Sequence, residues 1–362
     1  MRLIGLMSGT SLDGVDAALV DFDARGRPTL AGQIHHDYPA ELVERLRATD
    51  GDSPLRTVLM LDAWLAGVYA DAVEALRSAT GAARAGIDGI ALHGQTLWHA
   101  PGANPPVTCQ IGDPSRLAEA TGIRVIADFR QRDLAAGGEG APLAPLFHAA
   151  LFGCDHRRCV VNIGGVANIS VLDAGGQALG GFDTGPGNTL MDAWARRHLD
   201  AAFDRDGRWA ASGAVDTPFL ERLLADPYFR RPPPKSIDVR SFDLAWLEAY
   251  PGGPQRPADM QATLLALTAA SLVTAIDEWG GDPEDVVITG GGALNTELRR
   301  AIAARLAPRP LLTGDDEGIP GTLVEAMGFA WLGRATLRGD RLDLESITGA
   351  RRPVIPGGVY PA

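Results

Sequence analysis

A glycine-and-hydroxyl turn occurs twice in this chain, and each copy joins two apolar runs. The first is Gly5-Leu-Met-Ser-Gly-Thr-Ser-Leu-Asp-Gly-Val-Asp16, which leads into Ala17 to Val20. The second is Val160-Val-Asn-Ile-Gly-Gly-Val-Ala-Asn-Ile-Ser170, which leads into Val171 and Leu172. Each reads as strand, tight turn, strand. Glycine at such a turn permits positive φ and lets backbone approach a ligand closely. Successive backbone N–H groups there form a concave anion site, to which Ser8, Thr10, Ser11 and Ser170 would add hydroxyl donors. Two such hairpins facing one another would grip a polyphosphate from both sides. That predicts an ATP-using enzyme with two similar lobes and a ligand cleft between them.

At 362 residues the chain can build two domains, each with a sizeable core. Its 46% hydrophobic and 22% charged residues are ordinary for a globular protein. A net charge of −12 repels a phosphate backbone and an anionic membrane surface, so neither nucleic acid nor membrane is an expected partner. The start of the chain leads straight into a strand, without an apolar leader and cleavage site, and a cytoplasmic protein is expected. Cys109, Cys154 and Cys159 form neither a CxxC pair nor a zinc spacing and read as reduced structural thiols. Lys235, in Arg230-Arg-Pro-Pro-Pro-Lys235, is the only lysine. A G-x-x-x-x-G-K-[ST] loop is therefore absent, and phosphate must be held by backbone amides, hydroxyls, arginine and metal.

Hydrophobic periodicity predicts the element order β-β-β-α-β-α-β, twice. In the first half, residues 2–23 form a hairpin and 29–38 a third strand. Residues 40–50 and 54–83 are helical, 87–93 is a short strand running into the loop 93–99, 115–121 is helical and 125–128 is a strand. In the second half, 160–172 form a hairpin and 178–182 a third strand. Residues 189–197 open a helix, 259–279 and 295–306 are helical, 286–289 and 311–312 are strands, and 321–334 closes as a helix. Residues 203–257 are a polar insertion rich in Arg, Asp and Pro. The expected domains are an N-terminal lobe over 1–136, a C-terminal lobe over 137–337 and a surface tail over 338–362. The Gly/Pro-rich run Gly137-Gly-Glu-Gly-Ala-Pro142 marks the crossing.

Six motifs follow one another in a fixed order. They are the first hairpin, His93-Gly-Gln-Thr96, Ala127-Asp-Phe-Arg130, Val161-Asn-Ile-Gly-Gly-Val-Ala-Asn168, Gly181-Phe-Asp-Thr-Gly-Pro-Gly-Asn188 and Thr289-Gly-Gly-Gly-Ala-Leu-Asn295. The element order resembles the sugar kinase, Hsp70 and actin superfamily. The motifs, spanning about residues 3 to 335, resemble the anhydro-N-acetylmuramic acid kinase family. The fold expected is α/β, a two-lobed actin-like or hexokinase-like ATPase. The resemblance implies conversion of 1,6-anhydro-N-acetylmuramic acid, ATP and water into N-acetylmuramic acid 6-phosphate and ADP during cell-wall recycling. It also implies a homodimer.

Within that frame, Gly9, Thr10, Ser11, Leu12, Asp13, Gly14, Val15 and Asp16 are the expected phosphate contacts. Asp13 would repel a phosphate directly, so it implies a Mg²⁺ held through water. Asn162, Gly164 and Gly165 belong to the second phosphate turn. Gly290, Gly291 and Gly292, between a strand and a helix, resemble the adenosine motif; no G-x-G-x-x-G occurs, which argues against a dinucleotide fold. Asp183 is the candidate catalytic base, a carboxylate placed in a rigid Gly/Pro loop to take a proton from water; turn capping and metal binding are its other readings. Arg130, clustered with Asp128 and Asp133, suits the lactyl carboxylate of the sugar, and Asp128 is placed with it among the sugar contacts, although a surface ion-pair cluster reads equally well. Gln95 and Thr96 offer hydrogen bonds to sugar hydroxyls, and by resemblance Glu325 faces the sugar. Asn188 is placed with the sugar contacts, although it, Asn162 and Asn168 also suit loop orientation. His93 reads as a structural hydrogen-bonder, without a metal-ligand partner at suitable spacing. Two other readings remain open at this level: a kinase for another sugar or carboxylic acid, and an actin- or Hsp70-like ATPase binding module.

Overall fold

The computed structural model describes residues 1–9, 12–237 and 241–362. Thr10 and Ser11 of the first turn lie outside the described residues. The chain forms two compact units, one of Met1–Leu151 with Leu323–Ala362 and one of Phe152–Thr322.

The first unit opens with β1 (Arg2–Met7), β2 (Gly14–Phe22) and β3 (Pro28–Asp37), an antiparallel meander. The helix Leu55–Thr80 then buries Leu61, Leu65, Val68, Tyr69, Ala72, Val73 and Leu76, a 3/4-spaced stripe that packs on the sheet. β4 (Gly89–Leu92) pairs parallel with β1. β5 (Gln95–Ala100) and β6 (Val107–Ile111) form a separate two-stranded hairpin where a loop was expected over 93–99. Most of that hairpin is only half-buried, so its sequence lacks the apolar alternation of a core strand. β7 (Val125–Ala127) pairs parallel with β4.

The second unit repeats the plan. β8 (Arg158–Ile163), β9 (Val166–Leu172) and β10 (Ala178–Pro186) are antiparallel. β11 (Asp285–Thr289) and β12 (Leu311–Thr313) add in parallel on the β8 side, giving the order β10-β9-β8-β11-β12. The first sheet has the matching order β3-β2-β1-β4-β7 plus one further edge strand, Gly358–Tyr360. The duplicated α/β plan of the sequence is thus present in both units.

The insertion gains a role from the packing. Phe219, Leu220, Leu223, Phe229, Phe242 and Leu247 join the core around the helix Pro257–Trp279. That helix has the length and apolarity of a membrane span, but 89% of its most apolar window is buried inside the protein. A helix apolar on every face is a core helix when other elements cover it, and here the insertion does so.

Four points differ from the sequence reading. The first unit runs on to Leu151, past the crossing expected over 137–142. The helix Val324–Arg338 packs on β1, β2 and β4 and so belongs to the first unit, not to a lobe over 137–337. Gly5 explains the fit: a Cβ there would lie 1.8 Å from the Ala326 carbonyl oxygen, so only glycine lets strand and helix backbones meet. Residues 338–362 are not a loose tail, because Gly358–Tyr360 pairs antiparallel with β7. β1 ends at Met7 and β2 starts only at Gly14, too far apart for the tight turn expected there, whereas Gly164-Gly165 alone separate β8 from β9.

Candidate active site

In the first unit the loop after β1 is held from below. Gln95 is buried; it donates from Nε2 to the Gly9 carbonyl at 3.1 Å and accepts from the Tyr38 hydroxyl at 3.2 Å. It therefore supports the loop instead of meeting a sugar, a correction to its expected role. Ser8 Oγ is 2.7 Å from the Tyr69 hydroxyl, with both groups buried, so this hydroxyl is also committed inside the fold. Val15 belongs to the core and can offer a ligand only its backbone. Leu12 sits at φ 57°, a left-handed conformation costing a side-chain-bearing residue about 1–3 kcal/mol. Such strain persists where surroundings over-determine it, as at ligand loops. Asp16 accepts or shares a proton with His35 Nδ1 at 2.7 Å. Burial raises the Asp16 pKa, His35 opposes the rise, and the nearby Asp13 charge adds to it.

Arg130 is not part of a surface ion-pair cluster. Its Nε donates to His93 Nε2 at 2.9 Å and its Nη1 to the Gly140 carbonyl at 2.8 Å. His93 must then carry any ring proton on Nδ1. The imidazole is buried against Phe329 at 4.6 Å, and burial together with the Arg130 charge holds its pKa well below the usual range. His93 is thus a neutral acceptor that aims Arg130. Asp128 turns away to the Tyr360 hydroxyl on the edge strand. Asp133 is buried and accepts from the Gly140 N–H at 2.6 Å and from the Thr348 hydroxyl at 2.8 Å, fixing the 138–140 loop. Glu325 lies on the first turn of the helix Val324–Arg338, where its side chain keeps solvent access. The surrounding protein raises its pKa; Arg130 opposes that and Asp16 reinforces it. Arg130, Glu325, Asp16 and Asp13 therefore share one electrostatic neighbourhood. Thr96, on the stand-off hairpin, accepts from Gln110 Nε2 at 3.2 Å and keeps its partial exposure.

In the second unit the glycines converge. The Asn188 N–H donates to the Gly164 carbonyl at 2.8 Å, and its Nδ2 to the Ile163 carbonyl at 3.3 Å. Asn188 therefore ties the Gly164-Gly165 turn to the start of the helix Thr189–Leu199, the loop-orienting part that its residue type also suits, while its side chain stays half-buried. Ser170 is fully buried in β9 and is no phosphate donor. Gly290 has φ 78° and ψ 178°, a region open essentially only to glycine. A Cβ there would lie 2.4 Å from Asn162 Oδ1 and 2.8 Å from the Ile163 carbonyl. Beside it opens a recess of about 290 Å³ lined by Gly290, Ala293, Leu294, Thr313, Asp315 and Gly321, among others. Ala293 and Leu294 give it an apolar face, and Arg299, Thr313 and Asp315 give it polar groups, a mixture that suits a flat heteroaromatic base carrying ring nitrogens. Thr313 and Asp315 were not singled out in the sequence; their only signal was the turn after a short strand. Gly290→Ala is expected to weaken ADP binding about 5- to 150-fold, the equivalent of about 1–3 kcal/mol of backbone strain, as read by calorimetry.

Asp183 lies in β10 at an irregularity in the pairing with β9 between Asp183 and Gly185. Such bulges re-aim a side chain. Three bonds fix the residue. Its N–H donates to the Lys235 carbonyl at 3.2 Å, its carbonyl accepts from the Tyr228 hydroxyl at 2.7 Å, and its Oδ2 accepts from the Ile237 N–H at 2.8 Å. Burial raises its pKa above the usual carboxylate value, and the Ile237 bond partly offsets the rise. A half-buried carboxylate with a raised pKa and one backbone donor has the properties that proton acceptance needs. Among the described residues no group of three His, Cys, Asp or Glu side chains is arranged to hold a metal ion. Tyr228 and Ile237, from the insertion, were not foreseen.

The sequence profile of the anhydro-N-acetylmuramic acid kinase family matches residues 1–362. An anhydro-N-acetylmuramic acid kinase of Nitrosospira multiformis is 44% identical over 99% of this chain and 98% of its own length. One from Xanthomonas campestris pv. campestris is 46% identical over 99% of this chain and 97% of its own. One from Chromobacterium violaceum is 46% identical over 99% and 98%. Among solved structures, the activator of the 2-hydroxyisocaproyl-CoA dehydratase from Clostridium difficile with bound ADPNP aligns over 91% of this chain at 15% identity, with a TM-score of 0.47. The chain belongs to the anhydro-N-acetylmuramic acid kinase family.

Proposed function

We infer that this chain is an ATP-dependent sugar kinase that opens 1,6-anhydro-N-acetylmuramic acid with water and phosphorylates O6, giving N-acetylmuramic acid 6-phosphate and ADP. The observation that carries this reading is the family match over the whole chain. The site supports it with a carboxylate of raised pKa, Asp183, in the family's Gly-Phe-Asp-Thr-Gly-Pro-Gly-Asn motif. Asp183 takes a proton from water as the water oxygen bonds to C1. The C1–O6 bond breaks, O6 bonds to the γ-phosphorus, and the bond from that phosphorus to the ADP oxygen breaks. The first half follows the logic of an inverting glycosidase, and the second depends on positioning and charge neutralisation.

Within this reading the Gly9–Asp16 loop and the Gly164-Gly165 turn take the phosphates, and the recess beside Gly290 takes the adenine. Arg130, aimed by His93, takes the lactyl carboxylate, with Thr96 and Glu325 on the sugar. Asp13 is near enough for its charge to raise the Asp16 pKa, and the two make the kind of carboxylate pair that holds hydrated Mg²⁺ against phosphates. Bound there, Mg²⁺ would neutralise charge on the β- and γ-phosphates. The expected setting is the cytoplasm, with a homodimer as the working form.

Turnover of the anhydro-sugar in ¹⁸O-water is expected to place the label at C1 of the phosphorylated product, read by mass spectrometry of its fragments. Label absent from C1 favours a kinase that deprotonates a sugar hydroxyl directly. ATP turnover that ignores the sugar favours an ATPase binding module.

A further inference from the structure

We propose that Lys235 is a positioning residue that holds the Asp183 carboxylate in its working orientation, a proposal that rests on Asp183 being the base. Lys235 is the only lysine in the chain, and it is buried, with 5% of its surface exposed. Its ammonium lies 4.6 Å from the ring centre of Trp279, 4.9 Å from that of Tyr228 and 5.7 Å from that of Phe182. The carbonyls of Tyr228 and Phe229 are 3.5 Å from Nζ. A buried cation is costly unless ring faces and carbonyls replace its water, and three aromatic faces do so here.

The cage joins the elements that surround Asp183. Phe182 is its neighbour in β10, Tyr228 donates to its carbonyl, and Trp279 ends the helix Pro257–Trp279. The backbone of Lys235 itself accepts from the Asp183 N–H, and two residues on, Ile237 gives the carboxylate its backbone donor. Without the ammonium the rings lose their common partner, and the 235–237 backbone loses the anchor that brings the Ile237 N–H to Oδ2. The charged and titratable groups on this side of Asp183 are Tyr228, Lys235, Arg231 and Glu278. Burial raises the Tyr228 pKa and lowers that of Lys235, while Arg231 and Glu278 act on the rim.

The test uses the full-length enzyme. Lys235→Met keeps an unbranched apolar stem of four heavy atoms and removes the ammonium. It is expected to lower kcat about 10- to 100-fold, the scale set by a misplaced reacting group, with the sugar KM within about threefold. The acid limb of the kcat profile should move to higher pH, because the Ile237 donor that holds the Asp183 pKa down is loosened. Lys235→Arg, which keeps a cation over the rings, should stay within about threefold of the wild-type kcat. Protein labelled with ¹³C-lysine gives one lysine side-chain spectrum, whose ε protons should be shifted upfield by the rings. A folded Lys235→Met enzyme with kcat within about twofold of wild type and an unmoved acid limb overturns the proposal, because a merely structural lysine behaves so. Unshifted ε protons overturn it as well. Should Lys235→Met fail to fold, Lys235→Gln is read by the same criteria. Failure of the parent reading looks different: Asp183→Asn would stay active while the caged lysine spectrum remained.

Discussion

Asp183→Asn should nearly abolish sugar phosphorylation, lowering kcat by at least about 10²-fold, while ADP binding stays within about twofold of wild type. The substitution keeps the shape of the side chain and an oxygen to accept the Ile237 N–H at 2.8 Å, so the local hydrogen bonding survives. What is lost is basicity. The recess proposed for adenine is built by Gly290, Ala293, Leu294 and their neighbours, without Asp183, so nucleotide affinity has no reason to change. The pH profile adds a second reading of the same residue. A general base acts only when ionised, and burial raises the Asp183 pKa. Wild-type kcat should therefore climb with pH along a limb lying above the ordinary aspartate range, and that limb should vanish in the residual activity of the variant. Stability should move the other way. A carboxyl whose pKa is raised by folding is a burden at pH values above its unfolded pKa, where it must ionise in a desolvated site. The Asn variant should thus melt no lower than wild type at neutral pH. Retention of more than about a tenth of wild-type kcat, against the expected 10²-fold loss, would remove Asp183 from the base role.

The parts of this site that could be read from the sequence are those with a local signature. Gly164 and Gly165 between two β-branched runs announce a hairpin, and Gly290 to Gly292 between an apolar strand and a helix announce a turn. Asp183 stood out because glycines and a proline surround it. Its setting did not, because its partners lie far along the chain. Ile237 is 54 residues away and acts through a backbone N–H, which leaves no mark on residue identity. Gln95 misled for the opposite reason. A polar side chain suggests a ligand contact, yet this one is buried and paired with Gly9 and Tyr38. Gly5 read as a turn glycine, whereas its lack of a Cβ admits the Ala326 carbonyl. That contact joins segments more than three hundred residues apart, and it places the helix Val324–Arg338 in the first unit. Periodicity reports which face of an element is apolar, not which sheet it will cover.

Asp285→Ala should destabilise the protein by about 3–5 kcal/mol, the largest stability effect expected here, because it strands a buried cation. Arg158 and Asp285 are register partners in β8 and β11, with side chains 4% and 9% exposed. The guanidinium meets the carboxylate with two bonds of 2.7 Å, from Nε to Oδ1 and from Nη2 to Oδ2. Nη1 donates to the Phe152 carbonyl at 3.1 Å and Nη2 also reaches Glu317 at 3.1 Å, so without Asp285 only a half-exposed acid and one carbonyl remain. Urea unfolding at neutral pH measures the loss. The double variant Arg158→Met with Asp285→Leu removes both charges and should recover most of the stability, since buried pairs are often replaceable by apolar groups of similar volume. The effect also has a pH window. Burial raises the Asp285 pKa, but Arg158 and His156 outweigh it and leave it lowered. This contribution is therefore present above the ordinary carboxylate range and fades as pH falls through the lowered value. His156, whose Nε2 is 2.9 Å from Asp285 Oδ2, has its pKa raised chiefly by that bond. Its contribution is full below the ordinary histidine pKa and fades as pH rises through the raised value. The gap between wild type and Asp285→Ala should be widest between those limits and narrow on either side. A gap below about 1 kcal/mol at neutral pH would mean that the Arg158 guanidinium reaches water in solution, and that β8 and β11 are not held by this pair.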